Sequence, residues 1–377
     1  MTKEKGGLME VFTLFFKLGV IGFGGPAAHI ALMEEEVVNK RKWMSREHFL
    51  DLMGATNLIP GPNSTEMTMH CGHERAGIPG LFVAGFSFIF PAVLITAGLA
   101  WFYEQYGQLP AVEPFIEGIK PAVLVVIVGA ILKLGKKAVK NTTLGILGAI
   151  VLALALLGVN EIAALLIAGV AGALFFYFRD RPKGGLGSLL PLAILPSTSV
   201  AIAKVSTTKI FLTFLKVGAV LYGSGYVLFA YLDAELVAKG WLSTQQLMDA
   251  IAVGQFTPGP VLSTSTFVGY QLGGWAGAAA ATFGMFLPSF LFVWILNPLI
   301  PKMRSSALLR GFLDSVNVAA VAVMVSVLVN MTTSSLTDWK AIAIAGMTTA
   351  FFFGFKRLSS MWLIVFGAAA GFLLSLI

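Results

Sequence analysis

Hydroxyl and amide side chains crowd the residues that follow two Pro-Gly-Pro tripeptides. Asn63, Ser64 and Thr65 come after Pro60-Gly61-Pro62, and Ser263, Thr264 and Ser265 after Pro258-Gly259-Pro260. All of these side chains can donate a hydrogen bond to an oxyanion without adding charge. The prolines remove backbone donors and clash with the preceding turn, so no helix runs straight through Gly61 or Gly259. Where a helix restarts, its unpaired amides and positive dipole end favour an anion. Asn63-x-x-Glu66 is also close to a capping box, so capping is the plainer reading of part of this chemistry.

Charged groups stand near the same stretches. Lys17 and Lys216 interrupt apolar segments, and an ammonium at membrane depth usually faces a cavity or partner. Either lysine could balance a bound anion, or snorkel to the boundary instead. Glu66, His70 and His73 fall at i, i+4 and i+7, one stripe of a helix. That stripe suits a proton relay or gate, and a hydrogen-bonded seam between helices is the alternative. His70, Cys71, His73 and Glu74 span several helix faces and match no standard ligand spacing, so no metal or other cofactor is expected. The chain also lacks a phosphate-binding glycine loop and a triad pattern, which argues against an enzyme.

The elements that must position these groups follow from composition. The 377 residues are 57% apolar and only 12% charged, with a mean hydropathy of +0.84. A soluble chain is nearer a quarter charged, so the expected fold is an all-α polytopic membrane protein with the lipid bilayer as its partner. Apolar runs at 79–103, 114–133, 143–157 and 276–298 approach the roughly 20 residues that cross a bilayer. The net charge of +7 comes from residues between these runs, so membrane topology explains it and no nucleic acid is implied. Cys71 is the one cysteine and forms no internal disulfide.

The two tripeptides belong to an internal repeat. At an offset of 199, FTLFFKLGVIGFGG from Phe12 pairs with FLTFLKVGAVLYGS from Phe211, bringing Lys17 onto Lys216, Gly24 onto Gly223 and Glu36 onto Glu235. One deletion later, Trp43, Ser45, Asp51 and the first Pro-Gly-Pro meet Trp241, Ser243, Asp249 and the second. A further deletion aligns Gly80, Phe86 and Pro91 with Gly277, Phe283 and Pro288, and FIEGIKPA with FLDSVNVA. Glu66, His70 and His73 meet Thr264, Val268 and Gln271, so the ionisable stripe belongs to one half. Ordered matches with two small gaps set the organisation: a repeat over 1–183, a linker over 184–208 and a second repeat over 209–377.

Loop charge gives the orientation. Residues 133–140 hold four Lys and their counterparts at 330–340 hold one, whereas 104–113 hold no Lys or Arg against three at 297–311. The bias flips, so the halves are expected upside down relative to each other. Five crossings per half, with the linker and Lys356 and Arg357 inside and the C-terminus outside, satisfy the parity if 46–75 is a re-entrant hairpin. Its arms of about 14 residues reach roughly 20 Å, too short for a ~30 Å core. Segments 26–42 and 225–240 are amphipathic and are expected at the interface or against the hairpins.

At GFGGP (Gly22 to Pro26), NLIPGPNSTE (Asn57 to Glu66), Arg75 to Gly77 and QFTPGPV (Gln255 to Val261), the sequence resembles the chromate ion transporter family in its long, two-domain form. The resemblance covers essentially the whole chain. It implies export of chromate across the cell membrane, with sulfate as the natural look-alike dianion, and draws Gly24 and Gly25 into the substrate site. A homodimer is possible on this reading. The alternatives are an anion channel of the same fold and a metal-dependent membrane enzyme.

Overall fold

The computed structural model describes residues 7–107, 109–179, 205–222, 225–296, 306–355 and 360–376, and their regular structure is entirely helical. The centre of the linker, Gly223, Lys356 and Arg357 lie outside the described residues.

The chain starts with α1 (Leu8–Ile21), 14 residues long and so roughly 21 Å. Gly24 and Gly25 then take φ of +102° and +77°, a region open to glycine without Cβ strain. Pro26 opens α2 (Pro26–Met33) at the first turn, where its missing donor costs nothing. α2 runs on into π turns over Glu34–Lys40 and returns alongside α1. Glu36 meets Lys17, and Arg41 and Trp43 both reach Glu10 at the start of α1. α1 and the segment that follows it therefore form an antiparallel pair. This amphipathic follower lies back along α1 rather than flat at the interface.

The Pro-Gly-Pro hairpin comes next. α3 (Arg46–Thr56) starts at Ser45, whose Oγ accepts from the His48 amide. After the tripeptide the chain restarts as α4 (Asn63–Tyr106), which is two arms joined at Ala76 and Gly77, the latter at φ +67°. A Cβ on Gly72 would strike Gly80 O and Ala84, although eight residues along a straight helix are ~12 Å apart. The chain thus reverses at Gly77. His48 Nε2 lies 3.2 Å from Glu74 Oε2 at one end of the hairpin, and Asn63 Nδ2 donates to Asn57 Oδ1 at 2.7 Å at the other. α3 and the first arm are antiparallel, with Pro60-Gly61-Pro62 at the tip, so 46–75 is the re-entrant hairpin that the arm lengths predict. α5 (Glu113–Ala138), α6 (Thr142–Leu156) and α7 (Glu161–Arg179) complete the half.

The second half repeats this order: α8 (Thr207–Val220), α9 (Leu228–Leu232) with π turns over Asp233–Val237, α10 (Thr244–Phe256), α11 (Thr264–Leu296), α12 (Ala307–Ser335), α13 (Trp339–Gly354) and α14 (Ser360–Ser375). α11 reverses at Gly274, φ +60°, the position matching Gly77. Among the described residues, each half carries five apolar helices and one Pro-Gly-Pro hairpin. Among the described residues, α4, α5, α7, α11 and α12 are long and apolar enough to cross a membrane, while α6, α13 and α14 are shorter apolar helices.

The halves exchange contacts reciprocally. Gly61 N donates to Leu221 O at 2.6 Å, and Gly259 N donates to Gly22 O at 2.8 Å. Gly22 and Leu221 are matched residues in the repeat. A Cβ on Gly61 would strike Ser289, and one on Gly259 would strike Ala92, again a matched pair. Contacts that pair i with j and j with i arise under a two-fold relation. Phe82, near the start of the second arm of α4, stacks on Phe290 at 5.7 Å and meets Trp294 at 6.3 Å, near the end of α11. Equivalent helices run antiparallel, so the repeat is inverted. Close approach is allowed by small residues, as where Gly118 of α5 lies against Gly367 and Gly371 of α14.

Candidate functional site

Both breaks end against the first helix of the opposite half, at the middle of the long arms. The second tip is stitched to the second arm of α4, where Thr96 Oγ1 donates to Ser263 Oγ at 3.2 Å and to Thr257 Oγ1 at 3.4 Å. The tip amides of Gly61 and Gly259 are engaged by carbonyls, so they are not the bare donors expected for an anion. What the first tip leaves open is the start of α4. No side chain caps that helix, and among the described residues the Asn63 and Ser64 amides have no acceptor. The capping-box alternative is therefore not what Asn63 and Glu66 do.

The restarting turns differ between halves. In the second, Thr264 Oγ1 donates to Val261 O and Ser265 Oγ to Leu262 O, both at 2.7 Å, so these hydroxyls are bound to their own backbone. In the first, Asn63 Oδ1 and Thr65 Oγ1 are buried without an acceptor or donor, apart from the amide bond that Asn63 Nδ2 makes. Glu66 is fully buried, and both its carboxyl oxygens lack a hydrogen-bond partner. It abuts Gly61, and Ser289 Oγ, also unpaired, lies against the same face of that glycine. His70 is buried one turn further along the arm and His73 is half-buried beyond it, so the stripe leads from the tip toward the end where Glu74 meets His48.

A cavity of about 670 Å³ reaches the first tip. Asn57, Leu58 and Asn63 form one wall, together with Pro26, Ala27 and Ile30 from the turn and helix after α1. Its other walls come from α5 and α12, which bring Lys133, Lys137, Lys140, Arg310 and Asp314 to it. The structure thus joins Asn63 to this space and sets Gly61, Ser64, Thr65 and Glu66 directly behind it. Gly259, Ser263 and Thr264 form the second tip instead, and Gly24 and Gly25 make the reversal after α1, with Gly25 packed against Tyr226 Oη.

Lys17 and Lys216 are not at the cavity. Lys17 lies 3.5 Å from Glu36, which Lys40 also approaches at 3.3 Å. Lys216 and Lys239 both sit 2.6 Å from Glu235. These are matched ion pairs that hold each returning segment to the first helix of its half. Burial alone would raise the Glu235 carboxyl, but hydrogen bonds from Lys216 and Lys239 outweigh it and hold the group below the ordinary carboxylate range. Glu36 is held down likewise, against burial, by Lys40 and Lys17. The other matched acids are also paired: Glu117 with Lys120, Asp314 with Lys140, and Asp249 with the Tyr103 hydroxyl, each at 2.6 Å. Among the described residues, no cluster of three His, Cys, Asp or Glu could hold a metal ion.

Sequence reasoning missed Ser289, Thr96 and the cationic wall. The signal for the last was present in Lys133, Lys137 and Lys140, spaced i, i+4 and i+7, but loop charge was read only as topology.

Two inverted halves, each broken by a re-entrant hairpin, with a largely apolar cavity that carries several cations reaching one break, have the build of a secondary membrane transporter. The chain belongs to the chromate transporter family, which matches it twice, over residues 9–173 and 208–372. A chromate transport protein of Cupriavidus metallidurans is 30% identical over 370 residues, 96% of this chain and 92% of that one. A probable chromate transport protein of Synechococcus elongatus is 30% identical over 375 residues, 97% of this chain and 95% of its own. An uncharacterized transporter of Bacillus subtilis, YwrB, is 30% identical over 169 residues, which are 44% of this chain but 86% of that protein. A relative of about one half's length agrees with the half as the unit of the fold. No solved structure matches this chain.

Proposed function

We propose that the protein exports tetrahedral oxyanions, chromate first and sulfate as its look-alike, by alternating access about the two tips. The observation that carries this is Asn63, which opens the helix behind the first Pro-Gly-Pro and also forms part of one wall of a cavity lined by cations. A dianion there meets amides of a helix start, the Asn63 side chain and the Ser64 and Thr65 hydroxyls, donors that orient it without holding it as an ion pair would. The lysine-rich end of α5 is cytoplasmic by the positive-inside rule, so the cavity faces the cytoplasm. α14 ends beside the start of α5, where Phe115 stacks on Phe372 at 4.7 Å, which supports a C-terminal end on the outside.

Direction follows from charge. A dianion leaving a cell ~100 mV negative inside gains roughly 4.6 kcal/mol, twice the single-charge value. That supports more than three decades of concentration ratio without a coupled ion. Glu66 is the candidate proton carrier, since it is a fully buried carboxyl beside the tip with His70 and His73 leading away from it. In everted vesicles, chromate uptake should follow membrane potential and be competed by sulfate. The double variant Ser64→Ala, Thr65→Ala should lose most of that uptake at normal protein levels. Uptake at the wild-type rate would overturn the placement of the site.

A further inference from the structure

The cavity has a wall chemistry that the tips do not explain. Of the residues lining it, five are charged: Lys133, Lys137, Lys140, Arg310 and Asp314. Asp314 Oδ1 accepts from Lys140 at 2.6 Å. Among the described residues, Lys133, Lys137 and Arg310 have no carboxylate within ion-pair distance. Three cations therefore face one space with their charge uncompensated.

Two ordinary explanations account for part of this. Lysines in the last turns of α5 suit the negative end of its dipole, and a lysine-rich loop suits the cytoplasmic side. The positive-inside rule covers the side on which Arg310 lies, but the dipole does not explain its position. Arg310 stands four residues into α12, whose N-terminal dipole end disfavours a cation. Nor does either explain why the lysines on the i, i+4, i+7 stripe line a cavity, while Lys136, on the same turn, does not.

The inverted repeat supplies an internal comparison. At the positions matching Lys133, Lys137 and Arg310 the chain has Asn330, Ser334 and Glu113. The positions matching Pro26, Ile30, Met53 and Asn63 of the wall are Gly225, Phe229, Ile251 and Val261, all four buried, while Phe256, which matches Leu58, is exposed. One end of the molecule has a cationic mouth, and the opposite end lacks cations at these three matching positions, while Lys120, which matches Asn317 of the cavity wall, is paired with Glu117. A symmetric scaffold carrying charge at one mouth only attracts anions from that side only, because a concave, low-dielectric wall of one sign raises the local concentration of its counter-ion.

We propose that Lys133, Lys137 and Arg310 form a capture site for a tetrahedral dianion, which loads the transporter from the lysine-rich side and passes the anion inward to Asn63. The site rests on the oxyanion reading given above. Asp314 keeps Lys140 out of it, leaving three positive charges for an ion that carries two negative ones. The space is much larger than one such ion, so the dianion keeps part of its water here and sheds the rest at the tip.

The test uses the full-length chain in proteoliposomes, with chromate flux measured separately from each face. Lys133→Gln, Lys137→Gln and Arg310→Gln should each raise the chromate KM from the lysine-rich face on the order of tenfold, the low end of focusing by a charged cleft. The maximal rate and the KM from the opposite face should stay as in wild type. Lys137→Arg should retain the wild-type KM, and so should Lys136→Gln. Unchanged KM in all three neutral variants, or the same rise from both faces, overturns the site. A readout without transport uses Lys133→Cys, since the native Cys71 is buried. An anionic thiol reagent should label it faster than a cationic one, and chromate or sulfate should slow the labelling. If wild type moves no oxyanion yet protection is seen, the capture site stands and the transport reading fails. Transport without protection, or equal labelling by both reagents, refutes the capture site alone.

Discussion

The contact between Gly259 and Ala92 can be tested by a steric exchange across the two halves. Gly259 has φ +86°, and a Cβ built there would lie 2.9 Å from the Ala92 Cβ. Forcing alanine into left-handed backbone costs about 1–2 kcal/mol, and overpacking adds about 1–3 kcal/mol. Gly259→Ala should therefore destabilise by about 2–5 kcal/mol in total. Ala92→Gly alone should cost about 1 kcal/mol, the helix-interior penalty of glycine. In the double variant the methyl clash disappears while the backbone strain remains. The pair should then be less destabilised than the sum of the singles by about 1–3 kcal/mol, the overpacking share.

The assay is reversible unfolding in mixed micelles, followed by tryptophan fluorescence, on the four proteins of the cycle. Gly158→Ala is the calibration, because Gly158 has φ +84° with open space where its Cβ would point; it should show the ~1–2 kcal/mol strain alone. Additive costs within about 0.5 kcal/mol would mean that the second tip does not press on α4, and the crossed arrangement would be wrong. The matched cycle of Gly61→Ala with Ser289→Gly should recover less, since the Glu66 carboxyl also occupies that space.

Glu66→Gln keeps the shape of the side chain and removes its titration, so transport should persist while its pH dependence flattens; an unaltered pH profile of chromate flux would remove Glu66 from proton coupling. Glu235 is held below the ordinary carboxylate range, so its share of stability is complete above that range and is lost as pH falls below about 4.3. Lys216→Met with Lys239→Met should lessen the acid loss of stability seen in thermal unfolding, and an identical acid profile would refute the pairing. Cysteines replacing His48 and Glu74 should be bridged by a short bis-thiol reagent in membranes, whereas a hairpin that crossed the bilayer would keep them apart and unlinked.

What the sequence made legible was whatever depends on a few residues at fixed offsets. Two prolines around a glycine break a helix in any context, and thirteen or so residues on each side cannot span a bilayer, so the hairpin was readable. The matched lysines and acids showed the repeat, and loop charge showed its inversion. Gly77 and Gly274 were opaque because a glycine that reverses the chain looks like one that lets helices pack; only the positive φ distinguishes them. The end of α1 was hidden for a related reason. LMEVFTLFFKLGVIGFGG is apolar over enough residues to suggest a crossing, and the turn at Gly24 and Gly25 that cuts it short depends on backbone angles. Lys17 and Lys216 were misleading in the opposite way. Their counter-charges lie 19 residues on, across a reversal that the hydropathy pattern does not mark.

The cationic cavity shows what a repeat can and cannot tell. Matched residues, such as Gly61 with Gly259, Ala92 with Ser289 and Gly22 with Leu221, are those that the two-fold contacts require, so they are constrained in pairs. Function in a symmetric scaffold has to come from positions where the pair is broken, because a perfectly symmetric molecule treats its two sides alike. Glu66 opposite Thr264, Asn63 opposite Val261, and Lys133 opposite Asn330 are such positions, and all three lie at or behind the same cavity wall. Arg310, opposite Glu113, joins them from 177 residues further along the chain than Lys133. A vectorial task needs that inequality, and in this chain it is concentrated at one mouth.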